Sequence, residues 1–185
     1  VAIGDVCGQG PRAGAMTGLA RHTIRASAWR GDPPETVLAR LNEAVYRADN
    51  ESFCTALYGV LDPTTRTFHG ALGCHPLPIV VDPDGRATSV GSPGMLVGVF
   101  PVGRTSTVRV ALPPGWTMLL YTDGVTDVPP PYELTPARWA EVVGAASRDA
   151  VDAEDLANRL TVTLDELRPA RARRDDIALL VLRSV

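Results

Sequence analysis

The chain has 185 residues, a net charge of −3 and an apolar fraction of 45%. This length and composition predict one globular domain with a substantial core, and they exclude intrinsic disorder and collagen-like repeats. The acidic balance argues against a nucleic-acid partner, and no apolar run approaches the ~18 residues that a membrane-spanning helix needs. Three cysteines without a C-x-x-C pair predict no disulfide framework and a reducing, cytoplasmic setting.

The first segment predicts a strand followed by two helices. Apolar residues over 1–6 favour a short strand, which a glycine-rich turn ends. A helix is predicted from Ala13 to Trp29, because Ala15, Leu19, His22, Ala26 and Trp29 follow one another at three- and four-residue spacing. Asp32 is predicted to cap a second helix that runs to about Asp49. Because the chain begins inside a strand and without a methionine, we expect a single domain, 1–185, excised from a longer protein and lacking its first strand or strands.

From Phe53 onward the apolar period changes to two, which predicts antiparallel strands joined by turns. These predicted strands cover residues 53–61, 66–73, 78–81, 86–90, 105–111 and 116–121. Two further helices are predicted to begin near Thr135 and Asp152, followed by a basic link over 168–174 and a closing strand over 177–182. Long runs of strands with segregated helices predict the α+β class, as a sandwich of sheets with the helices outside.

Acidic residues lie where the predicted strands begin or end. Asp5 ends the first strand, Asp123 ends the strand 116–121, and Asp175 with Asp176 begins the last one. A carboxylate among apolar residues is costly to bury alone, and converging carboxylates repel one another unless a cation lies between them. Oxygen ligands without a histidine cluster favour Mg²⁺ or Mn²⁺ over Zn²⁺. Turn chemistry explains any one of these acids, but together they favour a metal site.

Five motifs follow one another along nearly the whole chain. They are Gly4-Asp5-Val6-x-Gly8-x-Gly10, Phe53-x-Thr55-x-x-Tyr58-Gly59-Val60-Leu61-Asp62, His75-Pro76, Leu119-Leu120-Tyr121-Thr122-Asp123-Gly124-Val125-Thr126-Asp127 and Asp175-Asp176-Ile177. In this order they resemble the PPM-type metal-dependent serine/threonine phosphatases, and most of all their bacterial SpoIIE-type branch of sporulation phosphatases and sigma regulators. The resemblance implies an αββα sandwich of two mainly antiparallel sheets flanked by helix pairs, with a two-metal centre at one edge of the sheets.

The resemblance also implies roles for individual residues. Asp5 matches the carboxylate that bridges two Mn²⁺ or Mg²⁺ ions, and Val6 matches the residue that ligates through its backbone carbonyl. Asp123 matches a ligand of one ion, and Asp175 matches the ligand from the last strand, with Asp176 as the alternative because adjacent acids are easily misaligned. Asp5 and Asp123 are accordingly the residues on which catalysis is expected to depend.

Two positions, Asp127 and Gln9, have roles that the family pattern does not fix. Asp127 is either a further ligand or an exposed turn acid. Gln9 stands where some members of the family have histidine, and an amide cannot protonate a leaving alkoxide as an imidazolium can. The family also takes another acidic ligand from a strand upstream of Asp5, which we expect this chain to lack.

The implied activity is hydrolysis of phosphoserine by metal-activated water. By the same resemblance, the substrate is a signalling protein, namely a STAS-type anti-sigma-factor antagonist, and residues 13–49 form a possible homodimer interface. Two other functions stay open. Gln9 leaves room for a catalytically weak or inactive phosphatase-like module that binds a partner. A glycine pattern from Gly8 to Ala13 also resembles a dinucleotide-binding fingerprint, which needs a βαβ unit around it.

Overall fold

The computed structural model describes residues 1–48, 52–128, 130–167 and 175–185. In chain order its elements are β1 (Ala2–Val6), α1 (Gly10–Trp29), α2 (Pro34–Ala48), β2 (Cys54–Asp62), β3 (Thr67–Gly73), β4 (Ile79–Val81), β5 (Ala87–Ser89), β6 (Ser106–Ala111), β7 (Thr117–Tyr121), a 3-10 turn (Asp123–Val125), α3 (Pro136–Arg148), α4 (Ala153–Leu167) and β8 (Leu179–Arg183). Within these described ranges, no helix is both long enough and apolar enough to cross a membrane.

One compact unit is formed by Val1–His75 together with Gly91–Val110. Its four-stranded sheet has the order β1-β2-β3-β6, and β2 pairs antiparallel with both β1 and β3. Helix α2 lies against β2 and β3, because its apolar residues recur at helical spacing on one face. The core of this unit is made by α2 and the sheet, and its fully buried members are Val37, Leu38, Leu41, Val45 and Ala71.

The other compact unit consists of Pro76–Val90 and Ala111–Val185. Its sheet has the order β5-β4-β7-β8, with each of these pairings antiparallel. Helices α3 and α4 cover it, and Trp139 of α3 meets the ring of Tyr121 of β7 edge to face at 6.1 Å between centroids. Each unit therefore has one four-stranded sheet and one pair of helices, which confirms the predicted α+β class.

Helix α1 departs from the sequence prediction. It begins at Gly10 rather than Ala13, and its buried residues are Met16 and Ser27. Trp29, which the helical spacing places on one face with Leu19 and Ala26, is 78% exposed, and the guanidinium of Arg25 lies 4.9 Å from the centroid of its ring. The helical spacing is a weak guide here because the helix is rich in alanine and glycine, so no face is strongly apolar.

Several predicted boundaries also shift. The second helix begins at Pro34, and the carbonyl of Pro33 accepts its first hydrogen bonds, so Pro33 takes the capping position predicted for Asp32. The carboxylate of Asp32 instead contacts Arg30 and Arg40. Asp175 and Asp176 precede β8 rather than beginning it. The predicted helix end at Asp49 and the predicted basic link 168–174 lie outside the described residues.

A buried asparagine joins α2 to the loop after Val97. Asn42 is 3% exposed, its Oδ1 accepts the amide of Gly98 at 2.9 Å, and its Nδ2 donates to the carbonyl of Phe100 at 2.9 Å. Both partners are backbone groups, which need a hydrogen bond wherever water is excluded. The side chain thus satisfies two backbone groups of a loop that belongs to neither a helix nor a strand.

We expect Asn42→Ala to lower the free energy of unfolding by about 1–3 kcal/mol, because the buried amide of Gly98 loses its partner and such a group costs about 1–3 kcal/mol when left unsatisfied. Urea unfolding followed by circular dichroism measures this loss. Arg47→Ala on the same helix is the control, since its ion pair with Glu43 is exposed and its removal should change stability by less than about 0.5 kcal/mol. Equal losses in the two variants would contradict the role given to Asn42.

Candidate metal centre

Strand β7 leads directly to Asp123. All five residues of β7 are buried, and the strand lies between β4 and β8. The chain then passes Thr122 and enters the 3-10 turn, where the carbonyl of Asp123 accepts the amides of Thr126 and Asp127, both at 2.7 Å. Two hydrogen bonds to one carbonyl fix the backbone at Asp123, so its carboxylate has a set position beyond the end of the strand.

Thr122 ties this turn to the segment before β8. Its hydroxyl donates to the carbonyl of Asp176 at 3.2 Å and accepts the amide of Ala178 at 2.9 Å. Gly124 is required at the same point, because a Cβ there would lie 2.4 Å from the carbonyl oxygen of Asp176. The end of β7 and the residues before β8 therefore approach more closely than a side chain at position 124 would permit.

This approach brings the carboxylates of Asp123 and Asp175 together. Each offers an oxygen within 4.8 Å of the other's, and Oδ1 of Asp175 also accepts the amide of Asp176 at 2.9 Å. Oδ1 of Asp123 is buried and has no hydrogen-bond partner in the part of the chain that the structure describes. A buried carboxylate oxygen beside a second carboxylate is a donor set that fits Mg²⁺ or Mn²⁺.

The electrostatics of Asp123 agree with that reading. Burial raises the pKa of Asp123 above its ordinary value, and the negative charge of Asp175 raises this pKa further. Asp127 adds a smaller effect in the same direction. Without a cation, the ionised form of Asp123 is therefore disfavoured in the folded chain.

Asp5 lies on β1 in the other unit. It stands opposite Thr55 in the antiparallel ladder with β2, and its neighbour Val6 stands opposite Cys54. Burial, and secondarily the charge of Asp5, raise the pKa of the Cys54 thiol to about 12. Gly4 is required beside Asp5, because a Cβ at that position would lie 2.5 Å from the carbonyl oxygen of Thr55.

The glycine-rich turn after β1 presents Gln9 at the surface. Gly8 and Gly10 have φ of 100° and 78°, in the left-handed region that favours glycine. Gln9 is exposed at the N-cap position of α1, and its side chain makes no capping hydrogen bond. Replacing Gln9 should therefore disturb the fold little.

The remaining candidates differ in what they contribute. Asp127 is exposed, yet its charge reaches Asp123. Asp176 contributes its backbone carbonyl to the contact with Thr122, and its carboxylate is not the one that meets Asp123. Thr122 and Gly124 have no predicted role, although both lie in the motif around Asp123. The glycine directly after the acid is the signal that could have indicated a close backbone approach.

The dinucleotide-binding alternative is wrong. That fold requires a strand, a helix and a second strand parallel to the first. Here α1 is followed directly by α2, and β1 pairs antiparallel with β2. The glycine pattern is thus the turn between β1 and α1 and forms no βαβ unit.

A family model decides the relationship that the motifs suggest. The model of Stage II sporulation protein E, SpoIIE, matches residues 1–185. The chain belongs to the SpoIIE family. Among curated proteins, it is similar to protein IcfG of Synechocystis sp. (strain PCC 6803), with 24% identity over an alignment of 159 residues that covers 71% of this chain and 25% of IcfG. The chain therefore spans about a quarter of that relative.

Solved structures of other proteins have the same fold. The PP2C domain of SiaA from Pseudomonas aeruginosa has a TM-score of 0.83 and 24% identity, covering 98% of this chain and 73% of that one. The structure of the PP2C phosphatase domain of SpoIIE from Bacillus subtilis, with a fragment of its regulatory domain, has a TM-score of 0.78 and 16% identity, covering 98% and 53%. The fold is thus that of the PP2C, or PPM, phosphatases.

We expect Asp123→Asn to stabilise the SpoIIE-family chain when metal is removed with EDTA. The pKa of Asp123 is raised in the folded state, so the folded chain binds more protons than the unfolded chain between the two pKa values. Stability therefore falls as the pH rises through that window. Asparagine does not titrate, so Asp123→Asn removes the contribution of Asp123 to this fall in stability. Chemical unfolding at several values from about pH 3 to about pH 7 measures the slope for both proteins.

The control for this measurement is Asp84→Asn. The side chain of Asp84 is 76% exposed and pairs with Arg86, so its loss should bring no gain near neutral pH. If Asp123→Asn and the unmodified chain show the same dependence on pH, neither the burial of Asp123 nor its repulsion from Asp175 affects the stability of the folded chain.

Proposed function

We propose that this chain is a Mn²⁺- or Mg²⁺-dependent protein serine/threonine phosphatase domain. One observation carries the proposal: in a chain of the SpoIIE family, Asp123 and Asp175 offer carboxylate oxygens within 4.8 Å of each other, and Oδ1 of Asp123 is buried without a hydrogen-bond partner among the described residues. Such a pair is costly unless a cation neutralises it. Family membership supplies the reaction class, and the carboxylate pair supports metal dependence.

The ligands we propose are Asp123, Asp175, Asp5 and the backbone carbonyl of Val6. When bound, the ions supply an activated water and neutralise charge on the phosphoryl oxygens. The chain's own contribution is to hold its carboxylates in place. The turn holds the backbone of Asp123, and the hydroxyl of Thr122 holds the backbone directly after Asp175 through the carbonyl of Asp176. Asp127 adds negative charge near Asp123, and we propose it as an accessory acid rather than a ligand.

The proposed substrate is a phosphoserine protein of the STAS type that antagonises an anti-sigma factor. This assignment rests on the SpoIIE-type resemblance of the five motifs, together with the family model. A homodimer through residues 13–49 is proposed on the same basis. The competing function is a phosphatase-like module that binds a phosphoprotein without hydrolysing it, which Gln9 favours because it offers no titrating proton donor.

We expect Asp123→Asn and Asp5→Asn each to lower phosphate release by about 10²-fold or more. Each replacement removes a charged ligand, and a metal contribution of several kcal/mol to the transition state corresponds to this factor. The assay measures phosphate released from a phosphorylated STAS-domain protein with added Mn²⁺. Asp84→Asn is the matched control, because it removes the same charge from an exposed turn and should leave the rate unchanged.

Two results of this assay contradict the proposal in different ways. Full activity in Asp123→Asn would mean that Asp123 is not a ligand. Binding of the phosphorylated protein without any phosphate release, in a chain that binds Mn²⁺, would favour the partner-binding module instead.

We expect Gln9→His to raise turnover of the phosphoserine protein, with the gain below about pH 6.5 where imidazolium is populated. General acid catalysis contributes ~10²–10⁴-fold when well placed, so even a poorly placed histidine should have a measurable effect on an alkoxide leaving group. Hydrolysis of p-nitrophenyl phosphate should change little, because an aryl oxide leaves without that proton. Equal rates for both variants on the phosphoprotein would show that the proton comes from water or from another residue.

A further inference from the structure

A buried histidine follows β3 and has no role in the proposed reaction. His75 is 2% exposed, and it lies in the same compact unit as Asp5. The turn that leads to it is unusual, because Cys74 has a φ of 53°, in the left-handed region that favours glycine. Gly73 precedes it, and a Cβ there would lie 2.5 Å from the side chain of Val97. The local backbone thus accepts an unfavourable conformation and a tight contact at the point where His75 is placed.

The imidazole of His75 contacts a threonine of the neighbouring strand. Its Nδ1 lies 3.0 Å from Oγ1 of Thr55, in the middle of the unit's sheet. A threonine hydroxyl has one proton to donate and can accept from a second group. Thr55 can therefore accept from His75 and still donate elsewhere.

Thr55 is also the residue directly opposite Asp5 in the ladder between β1 and β2. The amide of Cys7 donates to the carbonyl of Phe53, two positions along, so Asp5 and Thr55 form a hydrogen-bonded pair of the antiparallel ladder. Side chains directly opposite each other lie on the same face of a sheet, with Cβ atoms about 5.5 Å apart. Thr55 therefore contacts the imidazole of His75 and shares a face of the sheet with Asp5.

We propose that His75 and Thr55 form a relay that positions the carboxylate of Asp5 for metal binding. In this relay Nδ1–H of His75 donates to Oγ1 of Thr55, and the hydroxyl proton of Thr55 is directed to Asp5. The inference rests on the proposed function, in which Asp5 is a ligand. His75 is a positioning residue here and touches neither ion nor substrate. Outer partners of this kind orient a ligating carboxylate, and their loss typically weakens metal affinity 10–100-fold.

Comparing His75→Asn with His75→Gln distinguishes the relay from a merely structural role of His75. The amide nitrogen of asparagine lies near the place of Nδ1 and can donate to Thr55, whereas that of glutamine lies near the place of Nε2 and cannot. At position 55, serine keeps the hydroxyl, and valine keeps the shape of threonine without it. Each position therefore has one variant that preserves the relay and one that breaks it.

The experiment measures the affinity of the EDTA-stripped chain for Mn²⁺ by the electron paramagnetic resonance signal of the free ion, with thermal unfolding as a check of folding. We expect His75→Gln and Thr55→Val each to weaken affinity about tenfold. His75→Asn and Thr55→Ser should stay within about twofold of the unmodified chain. The double variant Thr55→Val with His75→Gln should bind no more weakly than either single variant, because both break the same relay.

Three results overturn the relay. One is equal affinity in His75→Gln and His75→Asn, and another is equal affinity in Thr55→Val and Thr55→Ser. The third is a double variant whose loss is the product of the single losses, about a hundredfold, which indicates independent effects. If a histidine variant fails to fold, the threonine pair decides alone. Asp5→Asn in the same titration separates the two proposals, because unchanged Mn²⁺ affinity in that variant overturns the role of Asp5 itself.

Discussion

Repulsion between like charges is the constraint on which the arrangement around Asp123 depends. Its carboxylate and that of Asp175 are held within reach of each other, although burial and this neighbour both disfavour the ionised form. Two residues hold the carboxylates together despite the repulsion. The hydroxyl of Thr122 bonds the carbonyl of Asp176 and the amide of Ala178, and Gly124 lets its own backbone approach that of Asp176. Hydrogen bonds of uncharged groups thus hold a charged pair that would otherwise separate.

Much of the fold is predictable from local patterns. The strands from β2 to β7 are predictable because their apolar residues alternate or, in β4 and β7, form short continuous runs, and because their turns contain proline and glycine. The register of β2 with β3 follows from one such turn. Thr135 caps α3 as its sequence indicates, since its hydroxyl accepts the amide of Arg138. The buried face of helix α1 is not predictable in this way, because its many small residues do not form one apolar face. Which face such a helix buries depends on tertiary packing.

The candidate site is predictable in part. Acids at strand ends indicate oxygen ligands, and the motif around Asp123 indicates the phosphatase family, which the family model confirms. The choice between Asp175 and Asp176 needs the structure, because adjacent residues in an extended segment point to opposite sides. The hydrogen bonds of Thr122 and His75 likewise become visible only in the structure. Both join residues about 20 or more positions apart, and nothing in the local sequence marks such a partner.

The shallow burial of α1 has a consequence for how the chain opens in solution. Of the twenty residues of α1, two, Met16 and Ser27, are buried, and Leu19, Ala20, Ile24 and Ala28 pack only partly buried against the core, whereas the shorter α2 buries six of its side chains. A cavity of about 130 Å³ lies between α1 and the strands, lined in part by Ala20, Ile24 and Asp5. Stability within a protein follows such local burial. Amide protons of α1 should therefore exchange with solvent through local opening, while those of α2 and β2 exchange only when the whole unit unfolds.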